Sequence, residues 1–113
     1  MWAYAASRAL DYLLTLPELD ARFTTVLGYS RRGKTALWAA AQDERFFCAL
    51  LNNSGYGGAA TSKHGTGERV RDFLVAGSWD WFCENYKKHE HAGDNKPYDQ
   101  AYLLALIAPK SRV

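Results

Sequence analysis

Two short apolar runs on either side of an alanine- and leucine-rich stretch set the strongest limit on how this chain can fold. The runs are residues 23–27 and 46–51, and the stretch between them, residues 33–43, has helical character. Continuous apolar runs of this length are typical of strands buried on both faces of a parallel sheet, and parallel strands need a crossover helix. The pattern therefore predicts an α/β fold built on a strand–helix–strand unit.

Helical patterns flank this unit on both sides. Residues 2–16 and 99–108 carry apolar side chains at helical spacing, and a proline follows each segment. Between them, the glycines of residues 54–68 predict a loop, and residues 69–87 mix aromatic and charged side chains and are expected to include a helix. Residues 87–97 are polar and are expected to form a solvated loop.

The composition predicts a folded core and argues against some classes of partner. Hydrophobic residues occupy 48% of the 113 positions, and 14 basic against 12 acidic residues leave a net charge of +2. So small a charge gives no field that would favour nucleic acid, and no apolar run reaches the roughly 18 residues of a membrane helix. Cys48, inside an apolar run, is expected to be a buried free thiol rather than half of a disulfide with Cys83.

The turn between the first strand and its helix reads G-Y-S-R-R-G-K-T over residues 28–35, and two chemistries fit it. The letters match a phosphate-binding loop, in which backbone N–H groups hold phosphates and Lys34 reaches the terminal ones. The same strand–turn–helix context suits a nucleophile elbow, which exposes a serine hydroxyl above the sheet beside amides that stabilise an oxyanion. The usual elbow is G-x-S-x-G, but here Arg32 takes the second glycine's place and Gly33 follows it.

The surroundings favour the elbow with Ser30 as nucleophile. A helix precedes the strand, whereas a phosphate loop usually opens its domain. The second strand ends in Asn52-Asn53, which supplies no carboxylate for Mg²⁺. A P-loop NTPase that uses residues 28–35 stays the alternative.

The segment G-Y-S-R-R-G-K also resembles the G-C-S-R-x-G-K elbow of glucuronoyl esterases, carbohydrate esterase family 15, in which the displaced glycine is normal. Further similarities follow in the family's order over residues 36–46, 52–60, 67–68, 81–82, 97–100 and 103–109. The resemblance implies a three-layer α/β-hydrolase fold of which residues 1–113 are a single partial domain, the central part with the nucleophile elbow. It places further strands before this part and a histidine-bearing part after it.

The resemblance also implies roles for four residues. Ser30 matches the nucleophile, and Arg31 matches the residue that supports the oxyanion with its backbone N–H and guanidinium. Lys34 and Glu68 match positions that bind sugar hydroxyls, although as exposed charges both would also suit a solvated surface. The implied substrate is a glucuronic acid ester of xylan- or lignin-type carbohydrate, and the implied location is secreted or periplasmic. The pattern indicates no metal and no other cofactor.

The sequence departs from the family at the groups that would activate the serine. Asn53 stands where family members commonly carry a glutamate, and Ala101 where relatives often have a histidine. In the family the histidine lies well after the landmark at residues 107–109, and no histidine follows His91 in this sequence. His64 would break the order serine, acid, histidine, and His89 and His91 belong to a lysine-rich stretch that is expected to form a solvated loop. We therefore expect the isolated chain to be inactive. An acetyl-xylan-type esterase, or a non-catalytic carbohydrate-binding fragment that uses Trp79 and Trp81, are further alternatives.

Overall fold

The computed structural model of the chain describes residues 1–63, 67–75, 77, 83–89 and 95–108. Its elements alternate as the sequence predicts, with short helices after the second strand. They are α1 (Trp2–Leu13), a 3₁₀ turn (Ala21–Phe23), β1 (Thr25–Tyr29), α2 (Arg31–Gln42), β2 (Cys48–Asn52), α3 (Val70–Val75), α4 (Glu84–Lys87) and α5 (Gln100–Ile107).

The two strands pair in parallel, and α2 connects them, which confirms the predicted α/β fold class. Leu27 lies opposite Leu50, and Tyr29 lies opposite Asn52 at the carboxyl end of the pair. Because α2 begins two residues after β1 ends, its amino terminus lies at this same end of the sheet. Functional side chains in open α/β sheets gather at that edge.

Both strands start about two residues later than the apolar runs suggest. Phe23 belongs to a 3₁₀ turn, because the Asp20 carboxylate accepts from the Arg22 N–H at 3.0 Å and caps that turn. Phe47 precedes β2 and donates its N–H to the Thr24 carbonyl at 2.8 Å. The apolar side chains therefore mark the approach to each strand as well as the strand itself.

The core lies between one face of the sheet and the helices α1, α2 and α5. Leu10 of α1 and Leu37 of α2 are 1% exposed. Ala39 and Ala40 make α2 narrow enough to pack closely on the strands. The rest of this cluster consists of Ala3, Phe46 and Ile107, with Val26, Ala49, Leu51, Leu103 and Leu104 packed against it.

The other face of the sheet is open in the part of the chain that the structure describes. Leu27 is 68% exposed and Leu50, its cross-strand partner, is 49% exposed. The expectation of strands buried on both faces is therefore met on the α2 face only. Cys48 and Cys83 are free thiols, as expected, but Cys48 is half-buried rather than buried.

An ionic cluster ties α1 to the end of α2. The Arg45 guanidinium contacts Asp43 at 2.6 Å and Asp11 of α1 at 2.7 Å. The hydrogen bond from Arg45 holds the pKa of Asp43 well below its usual value. Among the described residues, no helix has the length and apolar character to cross a membrane.

Candidate active site

Ser30 occupies the single position between β1 and α2, with φ of 54° and ψ of −125°. A residue other than glycine is held in this region only by its surroundings, at a cost of about 1–3 kcal/mol. Here the Ser30 N–H donates to the Asn52 carbonyl at 2.9 Å, and the Ser30 carbonyl accepts from the Gly33 N–H at 2.9 Å. Both sides of the residue are therefore fixed, as a nucleophile elbow requires.

Two glycines allow the chain to turn this tightly. A Cβ on Gly28 would lie 2.2 Å from the Arg32 carbonyl oxygen, and a Cβ on Gly33 would lie 2.8 Å from the Cβ of Ser54. No side chain fits at either distance. Only backbone atoms of Arg32 lie next to Gly28, and Arg32 is an exposed residue. The displaced glycine of the sequence motif is therefore the one that packs against the loop after β2.

The position of Ser30 at the amino terminus of α2 suits attack on a carbonyl group. Its side chain makes no capping hydrogen bond to the helix. The first amides of a helix lack partners within the helix, and the helix dipole favours negative charge there. Arg31, the next residue, is exposed and adds a full positive charge. The site can thus present a hydroxyl next to groups that stabilise an oxyanion.

Lys34 reaches from the first turn of α2 to the loop after β2. Its ammonium group donates to the carbonyl of Ser54 at 2.6 Å and to the carbonyl of Tyr56, and it lies 5.5 Å from the centre of the Phe73 ring. Burial lowers the pKa of Lys34, and the negative charge of Glu68 acts in the opposite direction. Two of the three N–H donors are thus engaged with main-chain oxygens.

The engagement of Lys34 bears on the phosphate-loop alternative. A phosphate-binding lysine must extend over the turn, whereas this one is held by two carbonyl groups of the next loop. Asn52 also ends β2 and Asn53 follows it, where a carboxylate for Mg²⁺ would be expected. The phosphate-loop alternative therefore finds no support.

The charged groups of Lys34 and Glu68 both lie beside Gly55. A Cβ on Gly55 would lie 3.0 Å from Oε2 of Glu68 and 3.9 Å from Nζ of Lys34. Gly55 has a φ of 56°, which glycine adopts readily. The two residues that sequence resemblance pairs as sugar ligands therefore lie on the same side of the loop.

Sequence reasoning missed a groove on the α1 side of the elbow. It is an open cavity of about 510 Å³. Trp2 and Trp38 contribute to its walls, and the two residues are 58% and 46% exposed. The groove residues that belong to α2 are three or four positions apart in the sequence. This spacing places side chains on one face of a helix and could have indicated the groove. It is lined by Met1, Trp2, Ala3, Arg31, Lys34, Thr35 and Trp38.

The other candidate positions have mixed outcomes. Asn53, in place of the expected glutamate, has a φ of 45° just after β2, and Ala101 is exposed in the first turn of α5. The His89 ring lies edge-on to Tyr98, with centroids 5.4 Å apart. His64, His91, Trp79 and Trp81 fall outside the described residues. Among the described side chains, no group of three His, Cys, Asp or Glu is placed to hold a metal ion.

Known proteins match this chain along nearly all of its length. A family profile described as "Glucuronyl esterase, fungi" matches residues 1–113. The glucuronoyl esterase structure from Solibacter usitatus is 45% identical with a TM-score of 0.82, covering 96% of this chain and 28% of that one. A promiscuous esterase of carbohydrate esterase family 15 from a marine bacterial metagenome is 43% identical with a TM-score of 0.86, covering 96% and 27%.

A fungal relative agrees with these structures. The 4-O-methyl-glucuronoyl methylesterase of Schizophyllum commune is 32% identical over 120 residues, which cover 99% of this chain and 30% of the relative. The chain thus spans less than a third of the length of the proteins it matches. The match to the family profile and the shared fold show that the chain belongs to the glucuronoyl esterase family, of α/β-hydrolase fold.

Proposed function

We propose that this chain forms the nucleophile-bearing part of a carboxylic ester hydrolase that acts on esters of glucuronic acid in xylan- or lignin-type carbohydrate. The observation that carries the proposal is the backbone of Ser30, held at a φ of 54° between a parallel strand and the helix after it. Such strain persists where the surrounding structure enforces it, and it puts the hydroxyl at the edge of the sheet where substrates bind.

Ser30 is the nucleophile in this proposal. Its Oγ attacks the ester carbonyl carbon and loses its proton to a general base, which gives a tetrahedral oxyanion. Collapse of this intermediate breaks the bond to the alcohol oxygen, which leaves with a proton, and an acyl-serine remains. Water then attacks the acyl-serine and releases the free uronic acid.

Arg31 stabilises the oxyanion in this scheme. Its backbone N–H belongs to the first residue of α2, where the helix dipole is positive, and its guanidinium adds a fixed charge. Arg31 also lines the groove beside the elbow. Loss of one oxyanion donor typically lowers kcat by about 10²–10³.

Lys34 and Glu68 bind the sugar ring in this proposal. Lys34 has one donor beyond its two carbonyl partners, and the Glu68 carboxylate can accept from a sugar hydroxyl. The position of both charged groups beside Gly55 supports a shared ligand. The relative from Schizophyllum commune is named for 4-O-methyl-glucuronoyl methyl esters, which fit this donor and acceptor pair.

We assign the base and the acid to parts of the family fold that this chain does not match. Asn53 carries an amide, which cannot stabilise an imidazolium as a carboxylate does. In this view residues 1–113 form one partial domain, and the chain alone turns over ester slowly or not at all. The matched relatives have more than two thirds of their length beyond the aligned region.

A chimera tests the proposal directly. Residues 1–113 would replace the matched segment of the Solibacter usitatus esterase, and hydrolysis of a glucuronic acid methyl ester would be measured. We expect turnover by the chimera that Ser30→Ala abolishes. Thr15→Ala, which removes an exposed hydroxyl from the end of α1, should leave it unchanged. A folded chimera without Ser30-dependent hydrolysis would sink the proposal.

A further inference from the structure

The glycine-rich loop after β2, residues 54–63, is attached to the elbow on one side. Gly33 packs against Ser54 with no space for a side chain, and the Lys34 ammonium donates to the carbonyls of Ser54 and Tyr56. The Ser54 hydroxyl in turn accepts from the Ala59 N–H at 2.9 Å. Movement of this loop would therefore remove the partners that hold the first turn of α2.

On its other side, the same loop is held by the segment that leads into α5. Asp99 is 8% exposed, and its Oδ2 accepts from the N–H of Lys63 at 2.7 Å and from both the N–H and the hydroxyl of Ser62, at 3.0 and 3.2 Å. The Gln100 side-chain amide donates to the Gly58 carbonyl at 3.0 Å. Lys96, also buried, donates to the Tyr56 hydroxyl.

The segment is itself anchored on α2. Oδ1 of Asp99 accepts from the Ala101 N–H at 2.8 Å and caps α5. Ile107 of α5 is buried in the same core cluster as Leu37 of α2. These hydrogen bonds and contacts form a closed circuit. Core packing joins α2 to α5, Asp99 joins the start of α5 to the loop, and Lys34 joins the loop back to α2.

We propose that Asp99 and Gln100 are positioning residues for the nucleophile, which hold the loop of residues 54–63 against the first turn of α2 and so maintain the backbone of Ser30. Neither side chain contacts the serine. Their effect passes through the loop to Gly33 and Lys34. The catalytic meaning of the circuit rests on the proposed function, whereas its existence can be tested without any turnover.

Amide hydrogen exchange of the 113-residue chain provides the test. Asp99→Asn keeps one carbonyl oxygen, which can cap α5 or accept from the loop but cannot do both. We expect the amides of Ala59 and Lys63 in the loop, and those of Ser30 and Gly33 in the elbow, to exchange about tenfold faster or more. The Asp43 amide, bonded to the Ala39 carbonyl at the far end of α2, should not change.

A second variant keeps the test valid if Asp99→Asn fails to fold. Gln100→Ala removes one hydrogen bond, and we expect a severalfold faster exchange at Gly58, Ala59 and Gly33. Gln42→Ala, an exposed glutamine at the end of α2, is the matched control and should change none of these rates. A general loss of stability would instead accelerate the Asp43 amide equally.

The side chain of Lys34 gives a second signature, which a purely structural role at α5 would not move. When the loop loosens, the Lys34 ammonium becomes more exposed to water. The pKa of Lys34, measured by NMR, should then rise toward the usual value for lysine. Faster exchange confined to the loop, with the elbow amides and the pKa of Lys34 unchanged, would overturn the proposal. Equal acceleration at Asp43 would overturn it as well. If these signatures appear but the chimera is inactive, only the proposed function fails.

Discussion

The backbone N–H of Ser30 donates to the carbonyl of Asn52 across 2.9 Å, so the hydrogen bonds between β1 and β2 extend up to the residue with the strained backbone. The strand pair therefore fixes the Ser30 N–H, while the Gly33 N–H fixes the Ser30 carbonyl. Because both partners are main-chain groups, the conformation of residue 30 does not depend on its own side chain.

Replacement of Ser30 should separate stability from chemistry. Ser30→Gly relieves the strain at a φ of 54°, and after the entropy that glycine adds to the unfolded chain we expect a gain of about 1 kcal/mol in the free energy of unfolding. Ser30→Ala keeps the strain and should change the stability by less than about 0.5 kcal/mol. Urea unfolding of both variants measures the difference, and equal stabilities would contradict strain at this residue.

Substitution of the two glycines at positions 28 and 67 should have opposite results. A Cβ at residue 28 would lie 2.2 Å from a backbone oxygen, so we expect Gly28→Ala to cost about 3 kcal/mol or more of unfolding free energy. Gly67 has open space around it, and Gly67→Ala should be neutral or stabilising by up to about 1 kcal/mol. Thermal unfolding of the pair decides the matter. Similar losses in both variants would mean that close approach at the elbow is not what selects glycine.

Removal of the Lys34 charge should destabilise the chain. Lys34→Met keeps the packing of the stem but leaves the buried carbonyls of Ser54 and Tyr56 without this donor, and we expect a loss of about 2–3 kcal/mol. Lys88→Met is the matched control, because Lys88 is exposed and should contribute less than about 0.5 kcal/mol. The midpoint of urea unfolding reports both, and equal midpoints would contradict a contribution of Lys34 to stability.

The contribution of Asp99 to stability should depend on pH. Burial alone would raise the pKa of Asp99, but hydrogen bonds from Ala101, Lys63 and Ser62 together hold it below the usual value. The unfolded chain then binds this proton more readily, so the stability from Asp99 is complete above the unfolded pKa, about 3.9, and is lost as the pH falls through the folded pKa.

Unfolding experiments from pH 7 downward check this sign. The difference in unfolding free energy between the native sequence and Asp99→Asn should be constant from about pH 7 to 5 and shrink below about pH 4. The difference for Gln100→Ala should stay the same throughout, since that side chain does not titrate. A difference for Asp99→Asn that grows in acid would contradict the hydrogen-bond assignment.

Much of the fold follows from local patterns in the sequence, because apolar periodicity directly reports which face of an element is buried. The order of α1, β1, α2, β2 and α5 could be predicted in this way. The strand starts could not, since Phe23 is apolar but lies in a turn capped by Asp20. Only the contact between Phe47 and Thr24 shows where pairing begins.

The candidate site divides in the same manner. The turn at Ser30 could be predicted from its strand–turn–helix context, whereas the roles of Lys34 and Glu68 come from family resemblance and stay predictions. The partners of Lys34 could not be predicted, because Ser54 and Tyr56 lie 20 and 22 residues further along the chain. Asp99 could be taken only as a helix cap from its place before α5, and its bonds to residues 36 and 37 positions earlier have no local signature.

The packing of Gly33 on Ser54 bears on how members of this family are found by pattern searches. The letters of residues 28–35 satisfy a nucleotide-binding signature and fail the common serine-hydrolase signature, although the fold is that of the hydrolases. Gly33 is required because a Cβ there would collide with Ser54, and this requirement does not depend on how many residues separate Gly33 from the serine. A search template should therefore include the space around the Cα atoms of residues 28 and 33. A search by sequence pattern alone would assign such chains to the nucleotide-binding proteins.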